Sequence, residues 1–258
     1  MTHLRHAIVR PPSSNFADGL TSVYLGRPDF EMARQQHRAY CQALSSCGLT
    51  LTVLEPDESF PDSTFVEDTA VLTSRGAIIT RPGAPSRKGE VDEIAEVIQQ
   101  AYSNVTFICE PGTLDGGDVC EAGNHYFIGL SERTNQKGVL QLSEYLSALG
   151  FTSSLIDIRG LSKILHLKSG IASLREKTLV LIEELAGHKE FTKYNHVVVG
   201  QAAQYAANCV EINDYVLIAS GYEGFRDELQ RRGYQTVELD MSEFQKMDGG
   251  LSCLSLRF

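Results

Sequence analysis

Five stretches of this chain gather the residue types that carry out acid–base and nucleophilic chemistry. The first, FPDSTFVEDTA, holds Asp62, Glu67 and Asp68, and the second, TLDGGDV, sets Asp115 and Asp118 on either side of two glycines. The third, LHLKSG, places His166 between leucines, and MDGGLSC near the end of the chain repeats the Asp-Gly-Gly with Cys253 appended. A fourth stretch, AANC, supplies Cys209. A cysteine, a histidine and an aspartate brought together make a nucleophile, a general acid/base and the group that orients it. Carboxylates leading into an apolar strand are costly unless they meet donors or cations, so a cationic ligand would suit them. Arg87 in RPGAPSRKGE and Arg133 in GLSERTNQKG complete the set, because a guanidinium fork can hold a ligand carboxylate through two hydrogen bonds. Each residue also has an ordinary reading. A lone cysteine or an apolar–His–apolar pattern usually belongs to a core, three carboxylates in seven residues usually form a solvated loop, and surface arginines are common.

The elements that would position these residues repeat along the chain. The stretches begin at Phe65, Leu114, Leu165, Ala206 and Met247, about fifty residues apart and closer towards the C-terminus. The first four read as a strand, a tight turn and a second strand, with turn residues at 74–76, 122–124 and 213–214. Helical patterns follow the hairpins. Ser86 to Tyr102 aligns Val91, Ile94, Val97 and Ile98 on one face, and Arg133 to Leu149 does so with Val139, Leu142, Tyr145 and Leu146. Glu223 to Arg232 is shorter, and Asp29 to Ser46 is the N-terminal counterpart. Each helix feeds a strand such as NVTFICE, FTSSLID or QTVELD. A strand–helix–hairpin unit cannot bury its apolar faces alone. Radial stacking would bury them and bring the leading turns to one axis, whereas an open α/β sheet would leave the turns apart.

Composition narrows the function classes. The 258 residues carry a formal net charge of −10, which repels nucleic acid and anionic membrane surfaces. The N-terminal sequence has no apolar run of signal-peptide length, and no stretch reaches the length of a membrane span, so a cytoplasmic protein is expected. Six cysteines without CxxC spacing suggest thiols in a reducing compartment rather than a zinc site or a disulfide framework.

The motifs DGLTS at 18–22, FPDSTFVED at 60–68, AIITRPGAPSR at 77–87, LDGGDV at 114–119, LSERTNQKG at 130–138, HLKSG at 166–170, AANC at 206–209 and MDGGLSC at 247–253 together resemble the dimethylarginine dimethylaminohydrolase family. That family belongs to the superfamily of guanidino-group-modifying enzymes. The resemblance covers nearly the whole chain and implies a five-bladed α/β propeller of the pentein type with a central active-site cavity, built as one catalytic domain over residues 1–258. It implies Cys253 as nucleophile, His166 as general acid/base and Asp115 as the carboxylate orienting the histidine, a position where the family uses Glu or Asp. Asp68 and Asp248 correspond to the carboxylates that hold the guanidinium. Asp62, Glu67, Arg87 and Arg133 correspond to residues at the amino-acid end, and Leu20 and Met247 to pocket lining under a lid at DGLTS. The implied reaction releases citrulline and an alkylamine from methylated arginines through a covalent cysteine intermediate, without metal or cofactor, in a monomer or homodimer. Arginine deiminases and amidinotransferases share the covalent step but are usually longer. Ureido hydrolysis and a non-catalytic propeller that serves as a binding module remain the other readings.

Overall fold

A computed structural model describes residues 3–161 and 163–258. Its strands form five separate three-stranded sheets. Four are built alike from consecutive chain. A short strand pairs antiparallel with the next across a hairpin, and the chain then crosses over to a third strand parallel to the second. These sheets are Ala70–Thr73, Gly76–Ile79 and Val105–Phe107; Val119–Ala122, His125–Leu130 and Thr152–Asp157; Ile171–Leu174, Thr178–Ile182 and Asn195–Val199; and Val210–Ile212, Tyr215–Ala219 and Gln235–Leu239. In the fifth sheet the C-terminal strand Leu256–Arg257 pairs antiparallel with the N-terminal strand His6–Val9, which pairs parallel with Thr50–Val53. The two ends of the chain thus complete one blade, and the open-sheet arrangement does not occur.

Local chemistry accounts for the hairpins and helices. The hairpin between Ile212 and Tyr215 turns on Asn213 at φ 53, a conformation asparagine tolerates better than most side chains. The helix Phe30–Ser46 starts where the Asp29 side chain accepts from the Met32 amide, and Gln136–Ala148 starts where Asn135 accepts from Gly138. The segment expected as one helix from Ser86 divides into a 3-10 turn, Pro85–Glu90, and the helix Val91–Ala101. Ile94 and Ile98 are buried as anticipated, while Val91 and Val97 stand half-buried at the edge of the face. The third sheet departs from the repeated pattern. Its crossover contains only the single turn Glu183–Ala186 and a 3-10 turn at Lys189–Phe191, so no long helix covers that blade.

The core lies between neighbouring sheets and under the helices. One cluster joins Ile8, Ile79, Ile94, Ile98 and Leu256, so the closing blade and the first hairpin blade share a single apolar seam. The first strands of adjacent sheets pack on one another around an axis, and the segments leading into them gather at one end. No helix among the described residues is long and apolar enough to cross a membrane.

The helix Gln136–Ala148 offers a direct test of this packing. Leu142 is fully buried in it, whereas Leu140 is 49% exposed. Leu142→Ala is expected to cost about 2–5 kcal/mol in denaturant unfolding, from lost transfer energy and the cavity left behind. Leu140→Ala is expected to change stability by no more than about 0.5 kcal/mol.

Candidate active site

Each hairpin's first strand, and the C-terminal strand, is approached through a 3-10 turn: Val66–Thr69, Gly116–Asp118, Leu167–Ser169, Gln201–Ala207 and Ser252–Leu254. These turns pack neighbour against neighbour about the axis. The fourth and fifth are joined through Asn208, whose amide nitrogen donates to Ser252 Oγ at 3.1 Å while its oxygen accepts from the Ser252 amide at 2.9 Å. Turns so close together leave no room for side chains in their tightest part. A Cβ on Gly117 would stand 2.8 Å from both Asp68 Oδ1 and His166 Nδ1, so the Asp-Gly-Gly-Asp sequence is a consequence of the convergence.

His166 is held in this crowded centre by carboxylates. Its Nε2 lies 3.0 Å from Asp115 Oδ2, and its Nδ1 is 4.0 Å from Asp68 Oδ1. Asp118 accepts from the Leu167 amide at 2.9 Å and from Ser131 Oγ at 2.6 Å, which fixes the turn carrying the imidazole. Burial by itself would lower the pKa of His166, but Asp68, Asp118 and Asp115 reverse this and raise it to about 10. The carboxylates thus favour the protonated form of the imidazole, whose Nε2 faces Asp115. Burial works to raise Asp115, yet the hydrogen bond and charge of His166 hold its carboxyl below the usual range. Asp118 is pushed up to about 6 by its burial, partly offset by His166 and by the donors around it.

Asp68 is fixed from the other side. Arg87 Nη1 donates to its Oδ2 at 2.6 Å and the Gly117 amide to its Oδ1 at 2.9 Å. The rest of the Arg87 guanidinium is occupied by Glu90 and by the carbonyls of Asp62 and Phe65. Arg87 is buried, and its bonds hold Asp68 and its turn rather than reaching an open pocket. Burial pushes Glu90 up to about 7 even against the Arg87 charge.

Cys253 follows Ser252 in the fifth turn and is half-buried, its Sγ accepting from the Gly250 amide at 3.4 Å. Burial, and then the charges of Glu67 and Asp68, push its thiol up to about 12. Glu67 does not join Asp62 at the entrance. Its oxygens accept from Lys168 at 2.7 Å, Ser252 Oγ at 2.6 Å and Arg257 at 3.1 Å, which turns it towards the rear of the ring.

The remaining expected residues surround the mouth of the site. Asp62 accepts from the Leu20 amide at 3.0 Å, and Asp248 accepts from Thr21 and Ser22, so two carboxylates hold the DGLTS segment down. Asp248 adopts φ 58, in the left-handed region. Met247 is buried and Leu20 is 40% exposed. Arg133 is half-buried at the start of the segment leading to its helix, close enough to Asp62 for their charges to interact. A cavity of about 180 Å³ lies here, lined by Val23, Leu25, Ile164, Tyr205, Asp248 and Gly250 among others. Asp68, Asp115 and His166 bring three potential metal-ligating atoms within 4.8 Å of one another. Their bonding opposes that use, because the imidazole Nε2 is engaged by Asp115 and both carboxylates already accept hydrogen bonds from backbone amides.

Several residues of the cluster escape a reading by motif. Glu90 was detectable only as an acidic residue three positions after Arg87, a common helical spacing. Lys168 and Ser252 stand inside motifs that give no hint of their roles, and Arg257 lies in none, since each matters through a partner far along the chain. Asp118 was visible as the second aspartate of the glycine turn, but nothing in the sequence separates its role from that of Asp115.

Comparison with known proteins agrees with this geometry. A family model for eukaryotic N,N dimethylarginine dimethylhydrolase matches residues 29–255. The N(G),N(G)-dimethylarginine dimethylaminohydrolase of Pseudomonas aeruginosa is 45% identical over 255 residues, covering 98% of this chain and 99% of that protein. Its counterpart from Streptomyces coelicolor is 34% identical over 258 residues, covering 98% and 96%. A solved structure of a cysteine-to-serine variant of the Pseudomonas enzyme, complexed with citrulline, superposes with a TM-score of 0.96 at 44% identity, covering 99% of this chain and 100% of that one. The N-terminal domain of ArgZ, a cyanobacterial arginine dihydrolase, shares the fold at a TM-score of 0.88 and 17% identity, covering 98% of this chain and 97% of that one. Near-complete coverage at this identity, on the same ring of turns, shows that the chain belongs to the N(G),N(G)-dimethylarginine dimethylaminohydrolase family.

Proposed function

We propose that this protein hydrolyses asymmetric dimethylarginine and monomethylarginine to citrulline and the corresponding alkylamine, with Cys253 forming a covalent intermediate. The observation that carries the proposal is the buried imidazole of His166, held by Asp115 and facing Asp68, whose turn packs on the turn that bears Cys253. A thiol whose pKa lies near 12 is inert at neutral pH until a positive charge arrives. A guanidinium about 4 Å away would favour the thiolate by about 4 kcal/mol at an effective dielectric constant near 20, enough to lower the thiol pKa by about three. Asp68 and Asp248 are the carboxylates proposed to fix the plane of that guanidinium.

The thiolate sulfur attacks the central carbon of the guanidinium. As the bond to the alkylated nitrogen breaks, His166 gives its proton to the departing amine, leaving an S-linked thiouronium on Cys253. Water then attacks the same carbon while neutral His166 accepts its proton. The carbon–sulfur bond breaks, citrulline is released and the thiolate returns. At the amino-acid end, Asp62 suits the ammonium and Arg133 the carboxylate, with Leu20 and Met247 lining the approach. Arg87 contributes by holding Asp68, because its guanidinium is already closed by Glu90. The free thiols suit a reducing, cytoplasmic setting, and the reading treats residues 1–258 as one catalytic unit, monomeric or dimeric.

Three measurements test this reading. Cys253→Ser is expected to reduce dimethylarginine turnover by about 10⁴-fold or more while citrulline still binds, as for removal of a nucleophile. Full dimethylamine release by that variant would remove the assignment. Arg133→Ala is expected to weaken kcat/KM for dimethylarginine by about tenfold or more, the equivalent of one charged hydrogen bond, and to leave methylguanidine cleavage unchanged. Equal losses on both substrates would count against it. The third is the pH dependence of the Cys253 thiolate, read as the ultraviolet difference between the wild type and Cys253→Ser. Because the free thiol is raised, thiolate should be absent at neutral pH and grow only as pH climbs towards 12. A non-cleavable amidine analogue of methylarginine should move that rise about three pH units lower. A thiolate already present at pH 7 without ligand contradicts the proposed activation.

A further inference from the structure

The proposed reaction gives no part to AANC at 206–209. Its cysteine, Cys209, is buried, and burial pushes the thiol up, which is the setting of a packed cysteine and not of a reactive one. The residue beside it is fully engaged. Asn208 is buried between the third and fifth turns. Its Nδ2 donates to the Lys168 carbonyl and to Ser252 Oγ, both at 3.1 Å, and its Oδ1 accepts from the Ser252 amide at 2.9 Å. The backbone partners fix which way the side-chain amide faces, because the Ser252 N–H can only donate and the Lys168 carbonyl can only accept. Tyr205, on the same segment, donates to the Gly249 carbonyl at 2.9 Å. The fourth blade thus grips the fifth turn on both sides of Gly250.

These bonds close a circuit. Asn208 donates to Ser252 Oγ, which donates to Glu67 Oε2 at 2.6 Å. Lys168 Nζ donates to Glu67 Oε1 at 2.7 Å, and the Lys168 carbonyl leads back to Asn208. The other three members each lie within two residues of a group the reaction uses. Asp68 follows Glu67, His166 precedes Lys168 by two, and Cys253 follows Ser252. Cys253 and His166 share no hydrogen bond among the described residues: the sulfur accepts from the Gly250 amide, and the imidazole meets Asp115. Their separation is therefore set by the turns that bear them. Among the described residues, Asn208 is the one side chain hydrogen-bonded to the backbone of both turns.

We propose that Asn208 is a positioning residue of the hydrolase, which sets the register between the Cys253 sulfur and the His166 imidazole by tying together the backbones of their turns. The inference rests on the hydrolase reading. The side chain is matched to the place. An aspartate has no N–H for the Lys168 carbonyl, and a leucine offers neither donor nor acceptor. A glutamine is one carbon longer, and the turn leaves no slack, since a Cβ on Gly250 would stand 2.6 Å from both Cγ and Oδ1 of Asn208. Register matters because His166 must deliver its proton to the nitrogen leaving the carbon that Cys253 attacks. A displacement of about 1 Å between such groups can cost about 10²-fold in rate.

The test compares two reactions of Cys253 in the wild type and in Asn208→Ala. Hydrolysis of dimethylarginine needs the sulfur and the His166 proton together. Alkylation by 2-chloroacetamidine, a small amidinium, needs the thiolate alone: sulfur bonds to the methylene carbon, chloride leaves with its electron pair, and no leaving group has to be protonated. Asn208→Ala is expected to lower kcat for dimethylarginine about 30-fold or more, with KM and the alkylation rate each within about threefold of wild type. A general disturbance of the fold would slow both reactions together. Asn208→Ser is the second variant, should Asn208→Ala not fold. Its side chain is too short to span Lys168 and Ser252, and the same split between the two reactions is expected. Dimethylamine release by the wild type reports separately on the hydrolase reading, and its absence removes that reading and this one. With release present, a variant kcat within about threefold of wild type, or a parallel loss of turnover and alkylation, overturns the role of Asn208 alone.

Discussion

Buried charge has to be matched, and at the axis of this ring the matching leaves few alternatives. Glu67, Asp68, Asp115 and Asp118 are each no more than 3% exposed. An isolated carboxylate in such surroundings costs several kcal/mol, and removing one partner from a buried pair costs about 3–5 kcal/mol. Most of the partners come from other blades: His166 meets Asp115, and Lys168 with Arg257 meets Glu67, while Arg87 meets Asp68 from the crossover of its own blade. Blades placed differently would leave these charges unpaired, so the electrostatics of the centre and the closure of the ring support each other.

The same field prepares the groups for chemistry. Carboxylates around His166 raise its pKa against the effect of burial, and burial, reinforced by Glu67 and Asp68, raises that of Cys253. An added positive charge would oppose both effects, favouring the thiolate and lessening the hold on the imidazole proton. In the proposed reaction, binding of a cationic substrate and activation of the thiol are therefore tied together. The DGLTS segment belongs to this arrangement. Asp62 and Asp248, proposed to meet the two ends of the substrate, also accept hydrogen bonds from Leu20 and Ser22.

Behind the reactive turns lies a cavity of about 720 Å³, walled by the first strands of the sheets and floored by Glu67, Lys168 and Arg257. Ser252 Oγ donates to Glu67 next to Cys253, and Glu67 receives Lys168 and Arg257 from the rear channel. Lys168 lies two residues after His166, and its carbonyl accepts from Asn208, which braces the turn of Cys253. The rear wall of the site is therefore made of ion pairs and backbone hydrogen bonds instead of packed apolar side chains, a rigid support for two reactive groups that must keep their positions.

The order of residues along the chain was enough to read the repeated units, the hairpin turns, the apolar faces of the helices and the turns that bear Cys253, His166 and Asp115. Those features depend on neighbours a few positions apart, where periodicity and turn preference act directly. Their partnership across the ring was not legible. Arg87 looked free to grasp a ligand, yet Glu90 and Asp68 occupy it, and Glu67 looked like a companion of Asp62, yet it faces the opposite chamber. The one-turn crossover of the third blade and the blade made from both chain ends also came from the tertiary structure. Which donor reaches which buried carboxylate depends on the register in which distant turns meet, and that register is set by packing between blades and by the cost of leaving a charge unpaired, neither of which a local pattern contains.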